Sequence, residues 1–365
     1  MDKIYNFGAG PAQLPKEVLE RAQRELFSTE EAIPLPEADA SSEKFKAILK
    51  ACESNLRKLL NIPSNYKVMF VDGTGTAQFS AIPMNLLSER RRADYIVTGQ
   101  YSNMAYHEAK KYGDITIAAS SAGANPIFSA IPKVSSSDFR PDADYVHICY
   151  NNTIYGTKFD EIPDTRNIPL VADMSSSLLS EPIDVSRFGM IYADLGPNIA
   201  PASMTLIIIR EDMIVSNRPD TPSSISYKAL AESGLYAGTA IYGVYMANLM
   251  LEWIISVGGL EEMKRRNERK AGQLYDFLDG QDYYTASANK RFRSMTNVVF
   301  TTGVPELDKK FIKEAEEQGL YNLAGHMSVG GMRASLYNAM VYDGVDRLIK
   351  FMQKFMRENP KFEDL

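Results

Sequence analysis

Seven short runs rich in β-branched and aromatic residues, at 67–71, 94–97, 115–118, 145–149, 170–172, 190–193 and 204–209, constrain the folding of this chain more than anything else in it. Helix-patterned stretches alternate with them after residue 40. Such alternation predicts an α/β protein in which crossover helices join parallel strands. The near-continuous apolar content of the runs predicts strands buried on both faces. Apolar residues recur at helical spacing over 41–60 (Phe45, Ile48, Leu49, Cys52, Leu56, Leu59, Leu60) just before the first run, and an apolar helix over 77–87 follows it. Helical patterning returns over 241–274, around Trp253, with a gap at Gly258-Gly259. The tail carries a strand candidate at 295–301, a helix at 306–318, a glycine-bearing segment at 326–335 and a last helix at 345–355, which together predict a smaller α+β lobe.

The chain has 365 residues, 45% of them hydrophobic, which is enough for one large core and a smaller one. The expected division is a large domain over 16–257 and a C-terminal domain over 258–365 that also takes the N-terminal arm 1–15. A formal net charge of -6 argues against nucleic acid as a partner, because polyanion binding uses a basic face to displace counterions. No apolar stretch approaches the roughly 20 residues that span a bilayer, and the first residues lack a signal-peptide core, so the expected location is the cytoplasm. Cys52 and Cys149 are the only cysteines. His147 lies two positions before Cys149, but no further ligands cluster there, and both cysteines read as reduced core thiols rather than a metal site.

Several runs end in residues suited to chemistry. After the first comes Gly73-Thr74-Gly75-Thr76 and then a helix, so backbone N–H groups and the helix N-terminus can hold an anion; a glycine turn without a ligand explains the same residues. Asp173 stands at the end of the fifth run and is followed by Ser175, Ser176 and Ser177. In open α/β sheets ligands bind at that end of the strands. A carboxylate there can pair with a pyridinium nitrogen, as pyridoxal-phosphate enzymes require, or simply cap its own turn. Tyr101 with Ser102 follows the second run, and Asn151, Asn152 and Thr153 follow the fourth, so successive strand ends offer polar and aromatic groups to one crevice.

The order of motifs resembles the phosphoserine aminotransferases along nearly the whole chain. The segments that carry the resemblance are Asn6-Phe7-Gly8-Ala9-Gly10-Pro11-Ala12, Pro83-Met84-Asn85-Leu86-Leu87, Asn151-Asn152-Thr153-Ile154-Tyr155-Gly156-Thr157, Ala172-Asp173-Met174-Ser175-Ser176, Pro182-Ile183-Asp184-Val185-Ser186 and Gly330-Gly331-Met332-Arg333-Ala334-Ser335. It implies the fold of type I pyridoxal-phosphate-dependent transferases: a large domain with a mainly parallel seven-stranded sheet flanked by helices, plus a smaller α+β domain. It also implies a homodimer, and amino-group exchange between phosphoserine and 2-oxoglutarate. By position it puts Gly75 and Thr76 at the cofactor phosphate, Tyr101 against the pyridine ring, Thr153 near the ring hydroxyl and Asp173 at the ring nitrogen. Arg333 falls where the family holds the substrate carboxylate, a task that suits a guanidinium fork, although a surface ion pair is the alternative reading.

The resemblance fails at the residue the chemistry most needs. Where the family typically reads Tyr-Ala-Gly-Ala-Gln-Lys-Asn, this chain reads Tyr192-Ala193-Asp194-Leu195-Gly196-Pro197-Asn198. Pro197 therefore stands at the position of the Schiff-base lysine and offers no amine for covalent attachment or proton transfer. No lysine lies between Lys158 and Lys228, so a small shift in register supplies none. The glutamine before that lysine is Gly196, the phosphate-holding Asn-Thr of the neighbouring subunit is Ala237-Gly238, and the ring-stacking tryptophan is Tyr101. Two His-Arg pairs for the substrate are Ala40-Ser41 and His326-Met327, leaving His326 as a vestigial ligand or a structural histidine. The expected protein is a dimeric homologue impaired in transamination, with pyridoxal phosphate absent or held weakly and noncovalently, and with an amino acid or phosphate compound as candidate ligand. The alternative is an enzyme that works with noncovalent cofactor.

Overall fold

The structure, a computed structural model, describes residues 4–26, 35, 39, 41–201, 204–214, 218–233 and 241–361. Ala40, Ala237 and Gly238, three of the departures noted above, lie outside the described residues. The chain begins with strand β1 (Tyr5–Asn6) and helices α1 (Lys16–Leu26) and α2 (Glu43–Leu60). Ser42 caps α2, its Oγ accepting from the Phe45 N–H, and Asn61 closes it in a left-handed conformation. Then follow β2 (Tyr66–Asp72), α3 (Gln78–Leu86), β3 (Arg92–Val97), α4 (Gln100–Ala109), β4 (Asp114–Ser120), β5 (Tyr145–Cys149), the short hairpin β6 (Asn151–Asn152) and β7 (Thr157–Lys158), β8 (Leu170–Asp173), β9 (Met190–Asp194) and β10 (Met204–Arg210).

These strands build a seven-stranded sheet in the order β2-β10-β9-β8-β5-β3-β4. All pairings are parallel except those of β10, which runs antiparallel to both β2 and β9. The reason is length: the link from β9 to β10 spans only 195–203, whereas a parallel return needs a crossover of roughly a dozen residues or more. The sheet is buried on both faces over most of its width. Leu206 and Ile208 enter one core with α2, and Ile207 and Ile209 enter another with α3 and α4, the period-two alternation of a strand. Strand β4 departs from the expected burial. It forms the edge of the sheet, only Ile115 is buried there, and Ile117 is exposed.

The remaining elements are α5 (Tyr227–Ser233), α6 (Ile241–Ser256), α7 (Gly259–Asp279), β11 (Thr285–Ala286), β12 (Asn297–Thr301), α8 (Pro305–Glu317), β13 (Leu320–Tyr321), β14 (Met332–Ser335) and α9 (Tyr342–Glu358). The break between α6 and α7 falls at the glycine pair, with Gly258 and Gly259 both at positive φ. Helix α7 begins in the large core at Leu260 and Met263 and continues into a second core at Ala271, Leu274 and Leu278. That second core lies around the antiparallel sheet β11-β12-β14. The N-terminal arm belongs to it as well: β1 pairs in parallel with β13, and Tyr5 and Phe7 are buried there. No single described helix is long and apolar enough to cross a membrane.

Candidate active site

The strand ends that the sequence singles out converge on one cavity of about 390 Å³. It lies at the carboxyl ends of β5, β8 and β9, with the loop after β2 on one side. Gly75, Thr76, Tyr101, Thr153, Asp173, Gly196, Pro197, His326 and Arg333 all line it. The arm adds Ala9, Gly10 and Pro11, so three separate parts of the chain close one space. No lysine lines the cavity among the described residues.

The register of the sheet sets the floor. Cys149 pairs with Asp173, and Asp173 with Tyr192, which brings the ends of β5, β8 and β9 level. Asp173 is only 7% exposed. Its Oδ1 accepts from the Ser175 N–H at 3.0 Å and from the Ser175 hydroxyl at 2.6 Å. Asp173 thus caps its own turn and faces the cavity, and the two readings of it made from sequence are compatible. Burial raises its pKa, and the nearby Asp194 adds to that while the Ser175 bonds oppose it. Beneath it, the Tyr192 hydroxyl meets His147 Nε2 at 2.9 Å. Burial lowers His147 to about 3, so the imidazole is neutral. Cys149, two positions on, is a free buried thiol.

The wall after β2 is a turn of helix, Gly75–Ala77, leading directly into α3. Gly73 holds a positive φ of 95°, which glycine adopts without strain. A Cβ on Gly75 would stand 3.1 Å from Ser175 Oγ, so a side chain there would crowd the floor. The Gly75 N–H is turned toward Asp194, whose Oδ2 accepts at 3.2 Å, while Asp194 Oδ1 accepts from the Gly196 N–H at 2.9 Å. Ser175 Oγ in turn accepts from the Asp194 N–H at 3.0 Å. Asp194 is the site residue that the sequence reading passed over. Its signal was present, a carboxylate where the family segment has glycine, but its meaning depends on a contact with Gly75, 119 positions away.

Arg333 projects from β14 of the small lobe. Its side chain makes no hydrogen bond or ion pair among the described residues, and its Nε is buried without a partner. The surface ion pair considered from sequence is therefore not formed. Burial lowers the guanidinium pKa, opposed by Tyr337 and Tyr101, and an arginine stays protonated under such shifts. The Tyr101 hydroxyl, raised mainly by burial, feels Arg333, Asp173 and Asp194 together. Both signs of charge therefore border one ring. His326 is half-buried and its Nδ1 lies 2.7 Å from Ser328 Oγ, while the neighbouring Met327 is 94% exposed. Among the described residues no group of His, Cys, Asp and Glu could hold a metal ion.

The aminotransferase class-V family model matches residues 4–348. The chain is 45% identical to the phosphoserine aminotransferase of Acinetobacter baylyi over 359 residues, which is 98% of this chain and 99% of that one. The chain belongs to the phosphoserine aminotransferase family. The family member from Nitrosomonas europaea is 43% identical over 98% of this chain and all of its own. Among solved structures, the phosphoserine aminotransferase of Bacillus circulans subsp. alkalophilus superimposes with a TM-score of 0.93 at 38% identity, covering 98% of this chain and 99% of that one. The pyridoxal-phosphate-bound phosphoserine aminotransferase of Trichomonas vaginalis follows at 0.89 and 33%, covering 96% and 100%.

Pyridoxal phosphate is the cofactor of this family, and the cavity meets its requirements unevenly. Where the resemblance would put the ring, Asp173, Tyr101 and Thr153 line the cavity. Where it would put the phosphate, the provision is poorer. A phosphate needs free N–H donors at the start of a helix. Here the Gly75 and Gly196 N–H groups already donate to the Asp194 carboxylate, and Pro197 presents no amine. Thr76 still lines that end, and what the residues present do not fit is a lysine-bound cofactor.

Proposed function

We propose that this member of the phosphoserine aminotransferase family does not carry out the family's lysine-dependent transamination. The observation that carries the reading is the lining of the cavity, free of lysine among the described residues, with Pro197 at the position of the family's Schiff-base lysine. Amine attachment and proton transfer both need a nucleophilic nitrogen there, and proton transfer by a placed side chain contributes about 10²- to 10⁴-fold on its own. Gly196 adds no side chain to hold a phosphate, and Ala237-Gly238 replaces the family's Asn-Thr. Arg333 keeps the capacity to bind a carboxylate. The protein is thus a folded binding or regulatory homologue, and by analogy with its family a cytoplasmic homodimer.

The deciding experiment incubates the purified protein with excess pyridoxal phosphate, reduces it with borohydride and maps pyridoxyl groups by mass spectrometry, alongside an assay of glutamate formation from phosphoserine and 2-oxoglutarate. The expected outcome is no visible absorbance from a lysine-bound pyridoxal, no pyridoxyl-lysine at the cavity and no turnover. Turnover without a labelled lysine would favour instead a noncovalent enzyme built on Asp173 and Thr153. In sedimentation at micromolar concentration the chain is expected as a dimer.

A further inference from the structure

We propose that Asp194 is a built-in occupant of the anion cradle, so that the cavity rejects phosphate and takes a small phosphate-free zwitterion, its cationic end toward Asp173 and Asp194 and its carboxylate on Arg333. The proposal rests on the reading just given, that no lysine-held cofactor fills this space.

The geometry carries the first half. Two backbone N–H groups, Gly75 on the helix-leading loop and Gly196 two residues beyond Asp194 itself, donate to the two oxygens of that carboxylate at 3.2 and 2.9 Å. That is the arrangement by which such groups hold an external anion, here completed by a side chain of the chain itself. An incoming phosphate would lose these donors and meet a like charge instead of them. The second half follows from charge. Asp173 and Asp194 are tied to one serine: the Ser175 hydroxyl donates to the first at 2.6 Å and accepts from the N–H of the second at 3.0 Å. Across the cavity, Arg333 is half-buried and its Nε is buried with no partner, so a ligand carboxylate would meet an unpaired guanidinium there. Tyr101 stands among all three charges. A cavity of about 390 Å³ with carboxylates on its floor and one free guanidinium matches the two ends of an amino acid bound directly by the protein.

The test titrates the full-length protein by calorimetry with inorganic phosphate and with a panel of the standard amino acids, and each member of the panel that binds is compared with O-phospho-L-serine. Wild type should bind at least one amino acid more tightly than O-phospho-L-serine by at least about tenfold, and inorganic phosphate should bind at least about tenfold more weakly to wild type than to Asp194→Gly, roughly 1.4 kcal/mol. Arg333→Gln should weaken the amino acid by at least about tenfold. Asp194→Asn, which keeps the shape and removes the charge, should weaken the amino acid while admitting phosphate. Thermal melts establish that each variant is folded. Phosphate binding to wild type as tightly as to Asp194→Gly would overturn the occupied cradle, and a panel without any binder, or a binder indifferent to Arg333→Gln, would overturn the zwitterion. None of these readouts uses turnover. A pyridoxyl-lysine in the borohydride experiment would defeat the earlier reading, whereas phosphate binding with no such adduct would defeat this one alone.

Discussion

At the scale of single residues, the site separates what a side chain is from what it meets. Asp173, Thr153 and Arg333 were legible in the sequence because each sits inside an ordered motif, and the fold then delivers them to one cavity. Asp194 was not legible, because its carboxylate gains its meaning only through the Gly75 and Gly196 N–H groups that the fold turns toward it. The same contrast sets the expected result of repair. Pro197→Lys supplies an amine beside Asp173, yet leaves the cradle filled and the substrate's phosphate without the cationic groups missing at Ala40-Ser41 and Met327. Binding energy lost away from the reacting centre also lowers transition-state stabilisation. The single variant should therefore show no phosphoserine aminotransferase activity above background. Activity should return only when Pro197→Lys is combined with Asp194→Gly, Gly196→Gln, Ala237→Asn, Gly238→Thr, Ala40→His, Ser41→Arg and Met327→Arg. A steady-state assay comparing the two checks this, and a single variant within about tenfold of the combined one, roughly 1.4 kcal/mol of barrier, would contradict it.

Among the elements, the sheet's central strands carry a polar feature inside an apolar setting. His147 on β5 stacks on Tyr95 of β3 with ring centroids 4.7 Å apart and meets Tyr192 of β9 through Nε2, while its Nδ1 is buried without a partner. Burial lowers its pKa from 6.5 to about 3. A histidine held neutral in the folded state binds its proton more readily when unfolded, so the folded state loses stability as pH falls from about 6.5 toward about 3, at about 1.4 kcal/mol per pH unit for this group. Urea unfolding at a series of pH values should show that slope in wild type and a flatter one in His147→Asn. The elements themselves were legible where composition is decisive. The β-branched runs became strands within a residue or two, because burial on two faces demands that composition. Three helices, α1, α4 and α5, went unassigned from sequence, the first two for the opposite reason. α1 buries only Val18 and Ala22, and α4 only Ser102, Ala105 and Ala109, so neither shows a broad apolar stripe. Helix α3 continues through Pro83 against its ordinary cost because Phe79, Ile82 and Leu86 are buried around it.

Over the whole molecule, the two cores are joined by buried amides directly behind the cavity. Asn338, just past β14, donates from Nδ2 to the Leu179 carbonyl at 2.9 Å and accepts at Oδ1 from Asn267 of α7 at 2.8 Å, while its N–H donates to Asn198 Oδ1, next to Pro197. Asn151, on the β6–β7 hairpin, likewise reaches Asn297 and Ser294 of the small lobe. Removing one such amide leaves its partners buried and unsatisfied, so Asn338→Ala should lower unfolding free energy by about 2 kcal/mol, measurable as a lower urea midpoint. A loss of unfolding free energy below a few tenths of a kcal/mol would show the latch to be idle. The arm adds an asymmetry in time. Ala9, Gly10 and Pro11 wall the cavity, and they are held there because Tyr5 and Asn6 pair with Leu320 and Tyr321, the Phe7 carbonyl accepts from the Ser335 N–H at 3.1 Å and the Ala9 carbonyl accepts from the Tyr337 hydroxyl at 2.9 Å. The arm thus waits for partners made 328 positions later along the chain. The sheet can assemble while synthesis continues, but the cavity acquires its last wall only after residues near 337 have cleared the exit tunnel, and until then the arm is an unpaired β-strand exposed to whatever chaperones attend the nascent chain.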